Sequence, residues 1–498
     1  MASVADQIVR ALAANGVRRL HSAEGRSGLD DAVDRHPSVR WQRVGREESA
    51  SFGAAGDAAM TGELAVCVSR LGPFDDRLLD GLVDAQLSGI PVLAVAIRDG
   101  SEDDGDSLSD LRAFRLFAER LARPHDIQRV VAAATRAAVE ECGVAVIVVD
   151  DAMLAEHCDA GRPTAISASR PIVRPRENDL AAAARILAGA RRVTIVAGAG
   201  SAGAHDEVAL LADTLRAPVA HTLRGKEHVE GSPFDVGMVG PLASGWADDA
   251  VAVSDVVLLV GTDLRYRGAH GHDDAATVIQ IDVRGSHLGR RCPIDLGLTG
   301  TVLDTLHALQ PRVERRFDTS HLDYAVDGYA TARRADDARA LDHQNSAAAS
   351  IAALVSRLAE PDAVFAVDSG VEELSATRHL RMNGERRLIG SFSHGSPQGA
   401  LPLAVGAQSA HLDRQVIALL GDRGRAHLAE EFPAIAHGGL PVKIVTSDGG
   451  RDSGLTALAA RLGMRGIRTD AAGLAGATAE ALDYDGPALV ELVRRSPS

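Results

Sequence analysis

Aromatic residues are scarce, at 3% of the chain. Cores must therefore rest on Ala, Val, Leu and Ile, and the aromatic platforms that stack single-stranded nucleic acid have little to be built from. Cysteine is equally sparse. Cys67, Cys142, Cys158 and Cys292 lie far apart and form no CxxC pair, which excludes a zinc ribbon or a redox dithiol and predicts four buried, small apolar residues. No apolar run approaches the roughly 18 residues of a membrane-spanning helix. The start, MASVADQIVRALAANG, is an amphipathic helix carrying Asp6 and Arg10 rather than the apolar block of a secretory signal. Positive charge is in deficit: 53 Lys and Arg stand against 68 Asp and Glu, a net charge of -15, so the basic footprint of a nucleic-acid binder is missing. A cytoplasmic protein without a membrane tail is expected.

With 498 residues, the chain exceeds what one core holds, about 250–300 residues. Short β-branched runs alternate with Ala-rich helical stretches. The clearest strands are 64–69, 91–97, 144–150, 192–198, 256–261, 277–283, 363–368, 415–421, 441–447 and 487–493. Near-continuous apolar strands separated by helices predict parallel sheets covered on both faces. A Pro/Arg stretch, RPTAISASRPIVRPREND, and a charged segment, 318–346, divide the chain into blocks at 1–165, 180–312 and 345–498. The fold class is thus α/β, with three doubly wound parallel-sheet domains. The acidic run DGSEDDGDSLSD (99–110) is expected to be a solvated loop.

Three constellations carry chemistry. The first is Arg46-Glu47-Glu48 followed by SASFGAAGDAAMTG, a strand, and Gly72-Pro73-Phe74. A carboxylate in the first turn of a helix is favourable by itself. The second is Ser391-Phe-Ser-His394-Gly395-Ser396, then IALLG421-Asp422-Arg423-Gly424, then KIVTS-Asp448-Gly449. The third is the glycine-rich VAGAGSAGAH after a strand, with LRGKEHVE, Phe234-Asp-Val-Gly-Met-Val-Gly240 and Ile279-Gln-Ile-Asp282 further on. Taken alone, such glycine turns also occur in purely structural βα units. In this order and spacing, the three resemble the thiamine diphosphate (ThDP) enzymes, in the pyruvate oxidase or pyruvate:quinone oxidoreductase branch, over nearly the whole chain.

That resemblance implies a pyrimidine-binding first domain, a central FAD-type domain and a diphosphate-binding third domain. Glu47 would be the catalytic glutamate that hydrogen-bonds the cofactor's pyrimidine. Gly72, His394, Gly395, Ser396, Gly421 and Asp422 would contact ThDP, and Asp422 would ligate Mg²⁺. Gly237, Met238, Val239 and Gly240, the run Gly261, Thr262, Asp263, Leu264 and Arg265, and Asp282 would contact FAD. In the family the glutamate and the diphosphate site come from different subunits, so a homodimer or homotetramer is expected. The implied function is decarboxylation of a 2-oxo acid such as pyruvate, an oxidoreductase reaction in this branch.

Several positions depart from the family pattern. The second metal ligand, normally an asparagine, is Gly449, leaving the adjacent Asp448 as the other candidate. Arg423 stands where a glycine approaches the diphosphate, and Pro397 follows the His-Gly-Ser turn. The substrate-covering helix after residue 449 is missing, and the first domain's usual Phe-Gln-Glu segment gives way to the acidic loop near Asp106. These departures predict reduced activity. The alternative is a catalytically degenerate paralogue, a pseudoenzyme acting as a flavin-binding, regulatory or hetero-oligomer partner protein. His270 and His272 have no Cys or carboxylate cluster at ligand spacing and read as a polar surface loop.

Overall fold

The computed structural model describes residues 2–23, 28–71, 78–98, 117–159, 161–166, 172–240, 242–243, 245–262, 276–341, 346–447 and 454–493. Three six-stranded sheets form, and every strand pair with a described register in them is parallel. The first contains β1 (Arg19–Ala23), β2 (Arg40–Val44), β3 (Ala65–Leu71), β4 (Val92–Arg98), β5 (Phe117–Arg120) and β6 (Val144–Asp150), in the order β2-β1-β3-β4-β6-β5. The second contains β7 (Val193–Ala197), β8 (Val219–His221), β9 (Asp235–Met238), β10 (Val256–Val260), β11 (Thr277–Asp282) and β12 (Leu296–Thr299), in the order β9-β8-β7-β10-β11-β12. The third contains β13 (Val364–Val367), β14 (Arg387–Ile389), β15 (Val416–Leu420), β16 (Lys443–Ser447), β17 (Arg465–Thr469) and β18 (Ala488–Leu492), in the order β14-β13-β15-β16-β18-β17. All ten strands expected from the sequence are present. The α/β class with three parallel sheets is what the buried apolar runs require.

In each sheet the first strand sends the chain to one side and the next excursion returns to the other. This creates a switch point between β1 and β3, between β7 and β10, and between β13 and β15. Ligands of open parallel sheets bind at the carboxyl ends of strands at such a point.

The described chain divides into two units. One comprises 1–170, 358–373 and 389–498, and the other 171–357 and 374–388. In the first unit the outer two blocks share one hydrophobic core, in which Phe52, Ala54 and Ala58 join Leu401, Leu403 and Ala404. The joint is a helix pair, α1 (Glu47–Thr61) and α4 (Ala400–Ala410). Both are Ala/Gly-rich, and their backbones touch. A Cβ on Gly56 would overlap the carbonyl oxygen of Leu403, and one on Gly406 would overlap that of Gly53. Helix α1 is keyed to its own sheet by Asp57, which binds Arg19 at 2.7 Å and His21 at 3.1 Å. Burial pushes the Asp57 carboxyl upward, but these two partners prevail and pull it down to about 2.

The second unit corrects one expectation. The charged segment assigned as a separator holds a 22-residue helix, α3 (Ser320–Leu341), with Leu322, Ala325 and Ala340 buried. Gly328 of α3 lies against Trp246, and a Cβ there would come within 2.5 Å of the indole. The cysteines give a second correction: Cys67 and Cys292 are buried, whereas Cys142 and Cys158 are only half-buried. Cys142 sits at a helix end with φ 49°, where it reaches the surface.

The glycine contact generates a paired test. Gly406→Ala should destabilise the protein by about 1–3 kcal/mol in chemical denaturation, as overpacking does. Gly476→Ala, in a helix where an added Cβ meets nothing within 4 Å, should be neutral or stabilise by about 0.4–1 kcal/mol.

Candidate active site

Glu47 is the first residue of α1, after Arg46 in extended conformation. Its Oε2 accepts the hydroxyl of Ser69, near the carboxyl end of β3. The glutamate is therefore held at the open end of the first sheet, one helical turn from the contact with the third block. Cys67, on the same strand, is inert: burial, with a smaller push from Glu47, raises its thiol to about 12. Gly72, the next candidate along this strand, lies outside the described residues.

A seam of polar contacts joins this end of α1 to the third block. Arg46 pairs with Glu48, donates to Gln398 Oε1 at 3.1 Å and approaches Glu430 at 3.0 Å. Glu431, on α5 (Leu428–His437), accepts the Gly45 N–H at 3.0 Å and the Ser49 hydroxyl. Its burial raises the carboxyl's pKa against the pull of those bonds. The cleft along the seam is lined by Arg46, Glu48, Phe52, Ser396, Leu401 and Gly424, among others. Phe52, Leu401 and Pro402 add apolar surface to this otherwise polar lining.

At the third sheet's switch point, three turns converge. Asp368 follows β13, and its Oδ2 accepts the Gly421 N–H at 3.0 Å. Ser369 donates to the carbonyl of Gly395 at 2.8 Å. Gly395 has φ 85°, with nothing within 4 Å of an added Cβ. Its neighbour His394 is tied to the first block: its N–H meets Asp84 at 3.1 Å and its ring faces Asp80 at 3.4 Å. Ser396 is buried, its N–H bonded to Ser391 Oγ at 2.9 Å. His394, Gly395, Ser396 and Gly421 are thus gathered beside the cleft, and Asp422 is exposed at the start of the short turn after Gly421.

The sequence reading missed three carboxylates here: Asp368, Glu373 and Glu431. A Cβ on Gly421 would lie 2.6 Å from the Glu373 carboxyl carbon. Asp368 is buried, with Oδ1 lacking any hydrogen-bond partner. Burial pushes its carboxyl up to about 8; backbone N–H groups oppose the shift, and the charge of Glu373 adds to it. Glu373 is itself raised by burial and by Glu372 and Asp422. An exposed carboxylate such as Asp422 would oppose a bare diphosphate and would meet one that carries a divalent cation. Among the described residues no group of three or more His, Cys, Asp or Glu side chains could hold a metal by itself. A cation here would thus depend on phosphate oxygens, the usual habit of Mg²⁺. Asp448 and Gly449 lie outside the described residues, as do Asp106 and His270 to His272.

In the second unit the candidates are distributed differently. Gly237, Met238 and Val239 are buried, and Gly240 is half-buried. Gly261 packs on Gly200, and Thr262 and Asp282 are mostly buried. Asp263, Leu264 and Arg265 fall outside the described residues. No helix among the described residues is long and apolar enough to cross a membrane.

Comparison with known proteins gives three matches in chain order. Residues 2–120 match the thiamine pyrophosphate enzyme N-terminal TPP binding domain, 180–309 the central domain and 368–452 the C-terminal TPP binding domain. An uncharacterized 42.6 kDa protein of Pseudomonas amyloderamosa is 36% identical over 67% of this chain and 87% of its own. Pyruvate oxidase of Lactiplantibacillus plantarum is 27% identical over 87% of this chain and 75% of its own. Acetolactate synthase of Arthrospira platensis is 26% identical over 89% and 81%, respectively.

The pH response of Asp368 tests the electrostatics. Its carboxyl binds a proton more tightly in the fold than at its ordinary 3.8. Its stabilising contribution is therefore complete below that value and is lost as pH rises through about 8. Thermal melts of Asp368→Asn should fall less than those of the wild type between about pH 5 and pH 9.

Proposed function

Since the chain belongs to the thiamine pyrophosphate enzyme family, we propose that it binds ThDP with Mg²⁺ in the cleft between its first and third sheets and decarboxylates a 2-oxo acid such as pyruvate. The observation that carries this reading is the meeting, in one unit, of Glu47 at the open end of β3 and an acidic switch point at β13 and β15. When bound, the cofactor supplies the electron sink that lets a carboxylate leave as CO₂.

The protein's own residues supply position and charge. Ser69 fixes the Glu47 carboxylate at the strand end, where it would hold a proton on a nitrogen of the pyrimidine. Phe52, Leu401 and Pro402 would exclude water from one side of the ring. Asp422 would ligate the cation, and the Glu373 carboxyl, packed against Gly421, would stand behind it. The turn at Gly395, open above its Cα, lets a phosphate approach closely. Self-association belongs to the same reading: two copies exchanging their outer blocks would build the same cleft twice.

A second reading rests on Arg423, exposed in the same turn as Asp422. Its guanidinium could take the cation's place, leaving a degenerate relative that serves as a regulatory or hetero-oligomer partner. Calorimetric titration with ThDP, with and without Mg²⁺, separates the two. The proposed function requires micromolar, Mg²⁺-dependent binding; no heat at millimolar ThDP leaves the second reading. If binding occurs, Glu47→Gln should keep it within a few-fold while CO₂ release from the 2-oxo acid falls by about 100-fold or more, the usual scale for losing a proton-transfer group.

A further inference from the structure

We infer that the middle domain does not take a flavin, because the chain's own helix α3 and the closed glycine loops occupy the positions where one would bind. The inference rests on the second unit alone and stands independently of ThDP binding.

The first observation is cover. Tyr329 of α3 lies on Gly237, so that a Cβ there would come within 2.4 Å of its ring. Val239 and Val236 share a core with Ala247, Ala250 and Ala325, with Tyr329 packed against it. Burial raises the Tyr329 hydroxyl, with Asp235 and Glu230 adding to the shift. Gly237 to Val239 are thus spent on binding this chain's own helix. Helix α3 is also anchored along its length: His321 meets Thr194 at 3.0 Å, Tyr324 faces Trp246 at 6.5 Å, Asp336 pairs with Arg378 at 3.3 Å, and Asp337 pairs with Arg381.

The second observation lies at the switch point between β7 and β10. A phosphate cradle needs backbone N–H groups turned outward. Here Gly198 donates to Val260, Gly200 to Gly261, and Ser201 to Gly198. A Cβ on Gly200 would sit 2.8 Å from the Gly261 Cα, so the two loops close on each other. The helix that follows, α2 (His205–Leu215), opens with Asp206 and Glu207 in its first turn. Those carboxylates occupy the end of the helix that would otherwise favour a phosphate.

The third observation is Asp282. One carboxylate oxygen accepts the Arg284 N–H at 2.8 Å, and the other faces His287 at 3.7 Å. The group completes a local turn rather than reaching out for a ribose. The polar cavity beside Tyr329, lined by Lys226, Arg333, Arg378 and Arg381, does not call for an anion either. Lys226 is paired with Glu230 at 2.7 Å, and Arg381 with Glu230 and Asp337.

The test uses the purified full chain. It should show no flavin absorption near about 450 nm, and titration with FAD should give neither saturable quenching of flavin fluorescence nor a rise in melting temperature. Stoichiometric flavin in the purified protein, or saturable binding of added FAD, would overturn the inference. Tyr329→Ala checks the cover itself. Losing a buried ring should lower the melting temperature by about 5 °C or more, and an unchanged melt would mean that α3 is not docked as described.

Discussion

Backbone contact between α1 and α4 is the constraint on which the first unit depends. Helices this close need residues with almost no side chain at the crossing, and Gly53, Gly56 and Gly406 supply them. The low aromatic content belongs to the same solution. The core around the crossing is rich in Ala and holds two rings, fully buried Phe432 and Phe52, which also lines the cleft. The catalytic candidate follows from this packing. Glu47 is at the start of α1 because the helix must begin where β2 ends, and it can face a switch-point cleft because α1 lies flat on α4.

Electrostatics then divides the two units. The cleft of the first concentrates carboxylates that raise one another, with an unpartnered oxygen on Asp368. The second unit is internally neutralised: Lys226, Arg378 and Arg381 each have an acidic partner in the same unit. Two related folds in one chain have thus reached different states, one with raised carboxyls beside its cleft and the other with its charges paired internally.

Most interior strands of the three sheets, though not Arg19–Ala23 or Val219–His221, were legible in the sequence because strands covered on both faces read as unbroken Val, Ile and Leu. The edge strands were not. RWQRV and RGIRT at sheet edges, and RLHSA one strand in, mix charged and polar residues with few apolar ones and look like helix or loop until their neighbours are known. Glu47 and Asp422 were legible through motif order. Asp368, Glu373 and Glu431 were not, because each matters through a contact between distant segments. Asp368 did leave a signal: like Asp422, it is an acid at the end of an apolar strand. Helix α3 was taken for a separator because charges crowd most of its faces. Its stripe of buried Leu322 and Ala325 and half-buried Tyr329 nonetheless has helical spacing.

The scarcity of aromatics has one more consequence. The chain contains two tryptophans, and the fold assigns one to each unit. Trp41 stands on β2 with the Arg43 guanidinium 4.4 Å above its ring, and Trp246 is pressed against Gly328 of α3. Each indole therefore reports on one unit only. Replacing either by phenylalanine leaves a single tryptophan to excite selectively, so the order in which the two units lose structure can be read from the protein's own light, without a label.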